Sequence, residues 1–140
     1  MAIRANFSSR SRKFSAFIRN PILNTASSFS QAATFSGGIK EEITAKTSAS
    51  SITIDPNESS LQSVTLNTNA TFTMSSFETG QSVTLIIKQD GTGSRTGTFT
   101  SVKFPGGAPT LTTTANAIDV ITIIYDGTDY LGNIAQEFTA

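Results

Sequence analysis

Short segments of alternating or apolar residues recur between turn signals throughout the second part of this sequence. The strongest of these segments lie at residues 82–88 and 119–125. Turn signals such as Asp55-Pro56-Asn57 separate one segment of the series from the next. A period of two residues is typical of β-strands, and Pro, Gly, Asn and Asp are the residues that tight turns use. The 19 Ser and 22 Thr among 140 residues also favour strands and loops over helices. The pattern predicts an all-β fold, a compact antiparallel β-sandwich or small barrel of about seven or eight strands.

Charged residues are divided unevenly along the chain, although its formal net charge is zero. Residues 1–40 contain six basic residues and no acidic ones, whereas residues 41–140 contain four basic and ten acidic residues. Small and flexible residues between them, at Gly37-Gly38 and Ser50-Ser51, interrupt the periodicity. These shifts predict a basic extended arm over residues 1–46 and an antiparallel β domain over residues 47–140.

The predicted arm carries more large apolar side chains than a solvated tail usually does. Five of the ten Phe residues lie in it, but their spacing changes every few residues. Such irregular spacing does not predict a core able to offset the entropy of ordering the backbone. We therefore expect the arm to become ordered along neighbouring subunits, with Phe in apolar grooves and cations on acidic patches. The expected anchoring residues are Arg4, Phe7, Arg10, Arg12, Lys13, Phe14, Phe17 and Arg19.

Three alternatives remain open for the arm. It is Arg-rich, Ser-rich and free of acidic residues, as mitochondrial transit peptides are. It could equally be a solvated tail with incidental aromatic residues, or a nucleic-acid-binding segment in which cations alternate with Phe. A secretory signal is not expected, because the segment contains no apolar run of the length that such a signal needs.

The composition removes several kinds of chemistry. The chain contains no Cys and no His, so it cannot build a Ser-His-Asp triad, a cysteine nucleophile or a cysteine- and histidine-ligated zinc site. The spacing Gly91-x-Gly93-x-x-x-Gly97 approaches a dinucleotide fingerprint, but its third Gly is one position late and no helix follows. The Asp residues of the loops do not form an EF-hand pattern. We therefore expect no enzymatic activity, no metal and no cofactor.

Three segments of the β domain resemble a module that is common in the virion proteins of tailed bacteriophages. They are residues 80–96 with the turn QDGTG, residues 102–112 with the loop FPGGAP, and residues 119–122 with the sequence DVIT. The resemblance covers roughly residues 62–138. It departs from the common pattern at Phe99 and Phe104, where Trp is frequent, and such a change leaves the fold intact.

The turn residues of these segments are expected to define the fold rather than to bind a ligand. Glycines in the turns permit positive φ angles, and prolines stiffen the loop. A short acidic side chain before a strand accepts backbone N–H bonds. The residues with these expected roles are Gly91, Gly93, Pro105, Gly106, Gly107, Pro109 and Asp119.

Modules of this kind occur at the ends of tail fibres and in small virion-surface proteins, so the resemblance implies a non-enzymatic structural role in a virion. Because a single domain without coiled-coil or shaft repeats cannot form a long fibre, we expect a capsid decoration or cement protein on the capsid surface. The alternative is a short tail-fibre or tail adaptor/tip protein for host attachment. The expected partners are other virion proteins, either the major capsid protein or tail proteins, further copies in a homotrimer, and a host surface glycan or receptor. Neither a membrane nor nucleic acid is an expected partner.

Overall fold

A computed structural model describes residues 36–139, which form nine β-strands. The strands are β1 Ile43–Lys46, β2 Ser51–Ile54, β3 Leu61–Leu66, β4 Ala70–Met74, β5 Ser82–Gln89, β6 Gly97–Phe99, β7 Val102–Lys103, β8 Ile118–Tyr125 and β9 Tyr130–Phe138. One sheet has six strands in the order β1-β3-β5-β8-β9-β7, and the other has three in the order β2-β4-β6. The predicted all-β class is confirmed, with slightly more strands than expected.

Strand direction differs from the antiparallel prediction. Five of the seven strand pairings are parallel, and only β5–β8 and β8–β9 are antiparallel. The first six strands alternate between the two sheets, so the chain returns to a given sheet only after a full circuit and then runs in its original direction. Turn residues mark where a strand ends, but they do not specify which sheet the next strand joins.

The first six strands make three stacked coils, each with one strand in either sheet. β1 and β2 form the first coil, β3 and β4 the second, and β5 and β6 the third. The register advances by 18 residues from Ile43 to Leu61 and by 23 residues from Leu61 to Thr84. Because these spacings differ, the stack leaves no fixed period in the sequence.

A single hydrophobic core fills the space between the two sheets. Phe72 of β4 and Leu85 of β5 are completely buried, and Ile121 of β8 joins them. Phe72 also stacks on Phe99 of β6 with their ring centroids 4.8 Å apart. Each such side chain contributes roughly 1.5–3 kcal/mol by its removal from water. The shared core makes the two sheets a β-sandwich.

The folded part begins earlier than the predicted boundary at residue 47. Residues 43–46, which the predicted arm includes, pair in parallel with residues 61–64 of β3. Lys46 Nζ lies 2.6 Å from Glu58 Oε2, and Ser59 Oγ donates a hydrogen bond to the carbonyl of Glu42 over 2.8 Å. The compact unit starts at Ile39. Its first strand is hard to detect because it has only four residues and pairs with a strand that is not its neighbour in sequence.

Candidate functional site

Two segments of the chain meet beyond the end of β5. One is the turn at residues 90–96 and the other is the segment at residues 110–117 that leads into β8; together they are called the turn cluster here. Ser94 N donates to Thr113 O over 2.7 Å, and Asn116 N donates to Asp90 O over 3.0 Å. These backbone bonds join the turn between β5 and β6, inside the third coil, to the segment that leads into β8.

A buried amide lies at the base of the turn cluster. Gln89 occupies an inward position at the end of β5 and is only 2% exposed. Its Nε2 donates to Arg95 O over 2.9 Å and to Thr112 O over 2.8 Å, and its Oε1 accepts from Arg95 N over 2.9 Å. These bonds compensate for its burial. No structural role was predicted for Gln89. The sequence feature that could have indicated one is an amide at a position of an alternating strand where an apolar residue is expected.

The carboxylate of Asp90 organises the turn itself. Its Oδ1 accepts from Gly93 N over 2.8 Å and from Thr92 N over 3.1 Å, and its Oδ2 lies 2.8 Å from Arg95 Nη2. The hydrogen bond from Arg95 lowers the pKa of Asp90 below its ordinary value of 3.8, and the two backbone N–H groups add to this against the opposing effect of desolvation. The turn is therefore fastened by an ionised side chain.

The two glycines of this turn have different roles. Gly93 has a φ of +71°, and a Cβ atom there would lie 2.5 Å from Thr113 O and 2.8 Å from Ala115 N. Gly91 has no positive φ and no atom near its missing Cβ, so the predicted need for positive φ at Gly91 is wrong. The reason is the type of turn: Gly93 N bonds Asp90 O, and such a type I turn needs no positive φ at its central residues.

Asp119 connects the turn cluster to β9. The side chain is 2% exposed, and its Oδ2 accepts from Thr112 N over 2.7 Å while its Oδ1 accepts from Glu137 N over 3.0 Å. Glu137 has a φ of +63° and lies where the register of β8 and β9 shifts. One buried carboxylate thus holds both the segment before β8 and the bulge in β9.

The loop at residues 104–109 takes no part in the contacts described above for Gly93 and Asp119. Gly106 and Gly107 have φ angles of +77° and +106°, with nothing within 4 Å of their missing Cβ atoms, and Pro105 is exposed. Phe104 at its start covers Gly132 of β9, where a Cβ would lie 2.5 Å from the ring. The loop is therefore an exposed feature that is fixed to the sheet through Phe104.

Asp126, in the turn between β8 and β9, also fastens backbone. Asp126 Oδ1 accepts from Asp129 N and from Thr128 N, each over 2.8 Å, and these two bonds lower the pKa of Asp126 below 3.8.

Within residues 36–139, Asp and Glu do not form a group of three or more suited to holding a metal ion. The same residues contain no helix long and apolar enough to cross a membrane.

The predicted anchoring residues lie outside the described part of the chain. These are Arg4, Phe7, Arg10, Arg12, Lys13, Phe14, Phe17 and Arg19. The structure does describe the turn cluster and, separately, the exposed loop at residues 104–109. The hydrogen bonds of the turn cluster fix backbone segments in place and present short, mostly uncharged loops to solvent.

Comparison with known protein families identifies the chain. Residues 43–130 match the sequence model of the putative phage tail fibre C-terminal domain. The match covers more than half of the chain and runs from the first residue of β1 to the first residue of β9, so it includes the turn cluster. No curated protein and no solved structure gave a match. The match favours the tail-fibre alternative over the expected capsid decoration, and the family is a structural one. The chain belongs to the phage tail fibre C-terminal domain family and is a structural protein of a phage virion.

Proposed function

We propose that this protein is a tail-fibre or tail adaptor component that takes part in attachment to the host. The observation that carries the proposal is the extent of the family match. It begins at Ile43 and ends at Tyr130, so it spans three coils, the turn cluster, the exposed loop and β8. The match thus corresponds to most of the compact unit rather than to a local motif.

The coil stack also suits a fibre end. In each sheet its three strands run parallel, so the three coils stack in one direction. The expectation of capsid decoration rested on the absence of coiled-coil or shaft repeats, which a long fibre needs. A short tip or adaptor does not need them, and three coils are a stack of that limited size.

The exposed loops are suited to a polar, uncharged ligand. The loop at residues 105–108 is exposed and consists of Pro, Gly and Ala, and the segment 112–116 consists entirely of Thr, Ala and Asn. Such loops offer backbone groups and hydroxyls for hydrogen bonds without strong charge. We therefore propose a host surface glycan as the first ligand class, and a protein receptor as the alternative.

The segment before the compact unit is the proposed attachment to the particle. Residues 1–38 contain Phe7, Phe14 and Phe17 among several Arg residues, and we propose that they bind neighbouring virion proteins. The domain is proposed to assemble as a homotrimer. Deleting residues 1–38 should leave a folded domain that no longer joins the particle, whereas deleting residues 1–46 also removes β1. Normal incorporation of the shorter deletion would contradict the anchoring proposal.

Location and copy number test the tail assignment. Purified particles are labelled with gold-conjugated antibody against residues 39–140, and the copies per particle are counted on a quantitative gel. We expect gold at the tail and a handful of copies. Labelling of the capsid with hundreds of copies would establish decoration instead.

Attachment is tested by competition. Host cells are incubated with the purified protein before phage is added, and the free phage is counted over time. The native protein should slow adsorption, whereas the same protein after heat denaturation should not. Unchanged adsorption at a saturating concentration would contradict a direct role in host binding. Repeating the assay on cells treated with periodate distinguishes a glycan from a protein receptor.

A further inference from the structure

A pocket of about 490 Å³ opens to solvent beside the turn cluster. Thr114 and Asn116, in the segment before β8, form one of its walls. The ends of three neighbouring strands form the other wall, with Lys88 of β5, Ile118 of β8 and Phe138 of β9. These five residues define what is called the end pocket. Its volume lies within the range of roughly 300–1,000 Å³ that is usual for small-molecule sites.

Strand register places the three sheet residues of the end pocket side by side. Lys88 lies opposite Ile118 in the pairing of β5 with β8, and Ile118 lies opposite Phe138 in the pairing of β8 with β9. Because neighbouring strands are about 4.8 Å apart, the backbones at Lys88 and Phe138 are separated by roughly 10 Å. Phe138 is 52% exposed, so much of its ring is available to a ligand. An aromatic surface and a cation thus lie on the two sides of one apolar residue.

Hydrogen bonds of the turn cluster hold the opposite wall of the end pocket in place. Asn116 N donates to Asp90 O over 3.0 Å, and Ala117 N donates to Thr114 O over 3.1 Å. Asn116 has a φ of +62°, a left-handed conformation that Asn adopts more readily than most residues. The exposed side chains of Asn116 and Thr114 bring an amide and a hydroxyl to the pocket. This wall therefore offers donors and acceptors from a backbone that is already fixed.

Lys88 differs from the other basic residues at positions 41–139, all of which the structure describes. Each of the others forms an ion pair with a carboxylate; they are Lys46, Arg95 and Lys103. Lys88 forms no ion pair with a described Asp or Glu, and no described acidic residue lines the end pocket. Residues 1–35 contain no Asp or Glu that could pair with it. The end pocket therefore presents a cation to an anionic group of a ligand.

An aromatic ring, uncharged donors and acceptors, and a cation together fit a sugar that carries an acidic group. The apolar face of a hexose ring packs on an aromatic side chain such as Phe138. Its hydroxyls bond the side chains of Asn116 and Thr114, and its acidic group accepts from Lys88. We propose that the end pocket binds a hexose of the host surface that bears a carboxylate or a phosphate. This inference rests on the proposed role in attachment and narrows its glycan class to acidic sugars.

Four small probes test the end pocket in the full wild-type chain. Methyl glucoside, methyl glucuronide, glucose 6-phosphate and inorganic phosphate are each titrated into isotope-labelled protein, and the backbone amide shifts are followed by NMR. The acidic sugars should shift the amides of Lys88, Asn116 and Phe138 and bind about fivefold more tightly than methyl glucoside, as an exposed ion pair allows. The tighter of the two identifies the acidic group. Equal affinities for acidic and neutral sugars, or for glucose 6-phosphate and inorganic phosphate, would overturn the proposal.

Two variants and a matched control test the roles of the side chains. Lys88→Gln should lower the affinity for methyl glucuronide to that for methyl glucoside, a loss of about fivefold, and leave the affinity for methyl glucoside unchanged. Phe138→Ala should weaken both sugars by roughly fivefold, because both lose the aromatic surface. Lys103→Gln removes the same charge from an exposed lysine outside the pocket and should change neither affinity. An equal loss in Lys88→Gln and Lys103→Gln would contradict a specific site.

Competition for host cells separates this inference from the proposed attachment role. Lys88→Gln should slow phage adsorption less than either the wild type or Lys103→Gln does. If the wild type and Lys88→Gln slow adsorption equally, the end pocket is not the host-binding site, and the attachment role remains. If the wild type binds acidic sugars in the end pocket but does not slow adsorption, the attachment role fails, and the sugar site remains.

Discussion

Replacing Gly93 by Ala tests whether the turn cluster depends on the close approach of two backbone segments. Gly93 and Gly106 have nearly the same φ, +71° and +77°, but their surroundings differ. A Cβ at Gly93 would lie 2.5 Å from Thr113 O and 2.8 Å from Ala115 N, whereas a Cβ at Gly106 would meet nothing within 4 Å. The pair therefore separates the cost of the left-handed backbone from the cost of the contact.

The expected magnitudes follow from these surroundings. An Ala in the left-handed region costs about 1–2 kcal/mol, and the loss of freedom in the unfolded chain returns about 0.4–1 kcal/mol of it. Gly106→Ala should therefore destabilise by roughly 1 kcal/mol or less. Gly93→Ala adds the displacement of backbone, and forced overpacking of this kind costs about 1–3 kcal/mol. The total for Gly93→Ala is about 1–4 kcal/mol.

Thermal unfolding followed by far-UV circular dichroism measures the difference. For a folded unit of about 100 residues, 1 kcal/mol corresponds to roughly 4–8 °C in Tm, so Gly93→Ala should melt at least 4 °C below Gly106→Ala. Both variants are compared at one protein concentration, because self-association would make Tm concentration-dependent. Equal melting temperatures would refute the argument that the 90–96 turn and the 113–115 segment are in obligatory contact.

Three further outcomes are expected for the folded unit. Phe72→Ala should destabilise by about 3–5 kcal/mol in urea unfolding, because it removes a completely buried ring from the core. Asp119→Ala should cost about 2–4 kcal/mol because two backbone N–H groups lose their acceptor, and Asp119→Asn should cost less because it keeps one oxygen. The folded pKa of Asp90 lies below 3.8, so its stabilisation is complete above that pH and is lost as the pH falls through the lower folded value. Melting temperature measured from pH 6 to pH 2 should therefore fall less steeply in Asp90→Asn than in the wild type.

Strand positions and turns were largely predictable from the sequence because both depend on local chemistry. The alternation around residues 82–88 corresponds to β5, and the run at 119–125 corresponds to β8. Asp55-Pro56 forms the expected turn, in which Glu58 N donates to Asp55 O over 3.1 Å. Pro at the second position and Asp at the first are favoured in such turns for reasons that involve only neighbouring residues.

Sheet assignment was not predictable in the same way because it depends on distant parts of the chain. Alternation shows that one side of a strand is buried, but it does not identify the partner strand. The alternating burial pattern of β2 and β3 would be the same if they paired with each other or, as observed, with strands of the adjacent coil. The short β1 is stabilised by contacts with residues 58–64 and has little signal of its own.

The two buried glutamines indicate a physical requirement of the coil stack. In such a stack the strands satisfy one another's backbone groups, but the turns within and between coils leave carbonyls near the core without a strand partner. Gln62 Nε2 donates to Asp55 O over 2.7 Å and to Ser59 O over 2.8 Å in the turn between β2 and β3. Gln89 Nε2 does the same for Arg95 O and Thr112 O. An inward amide is long enough to reach two turn carbonyls, so a Gln among the apolar residues of a strand marks a place where a coil turns.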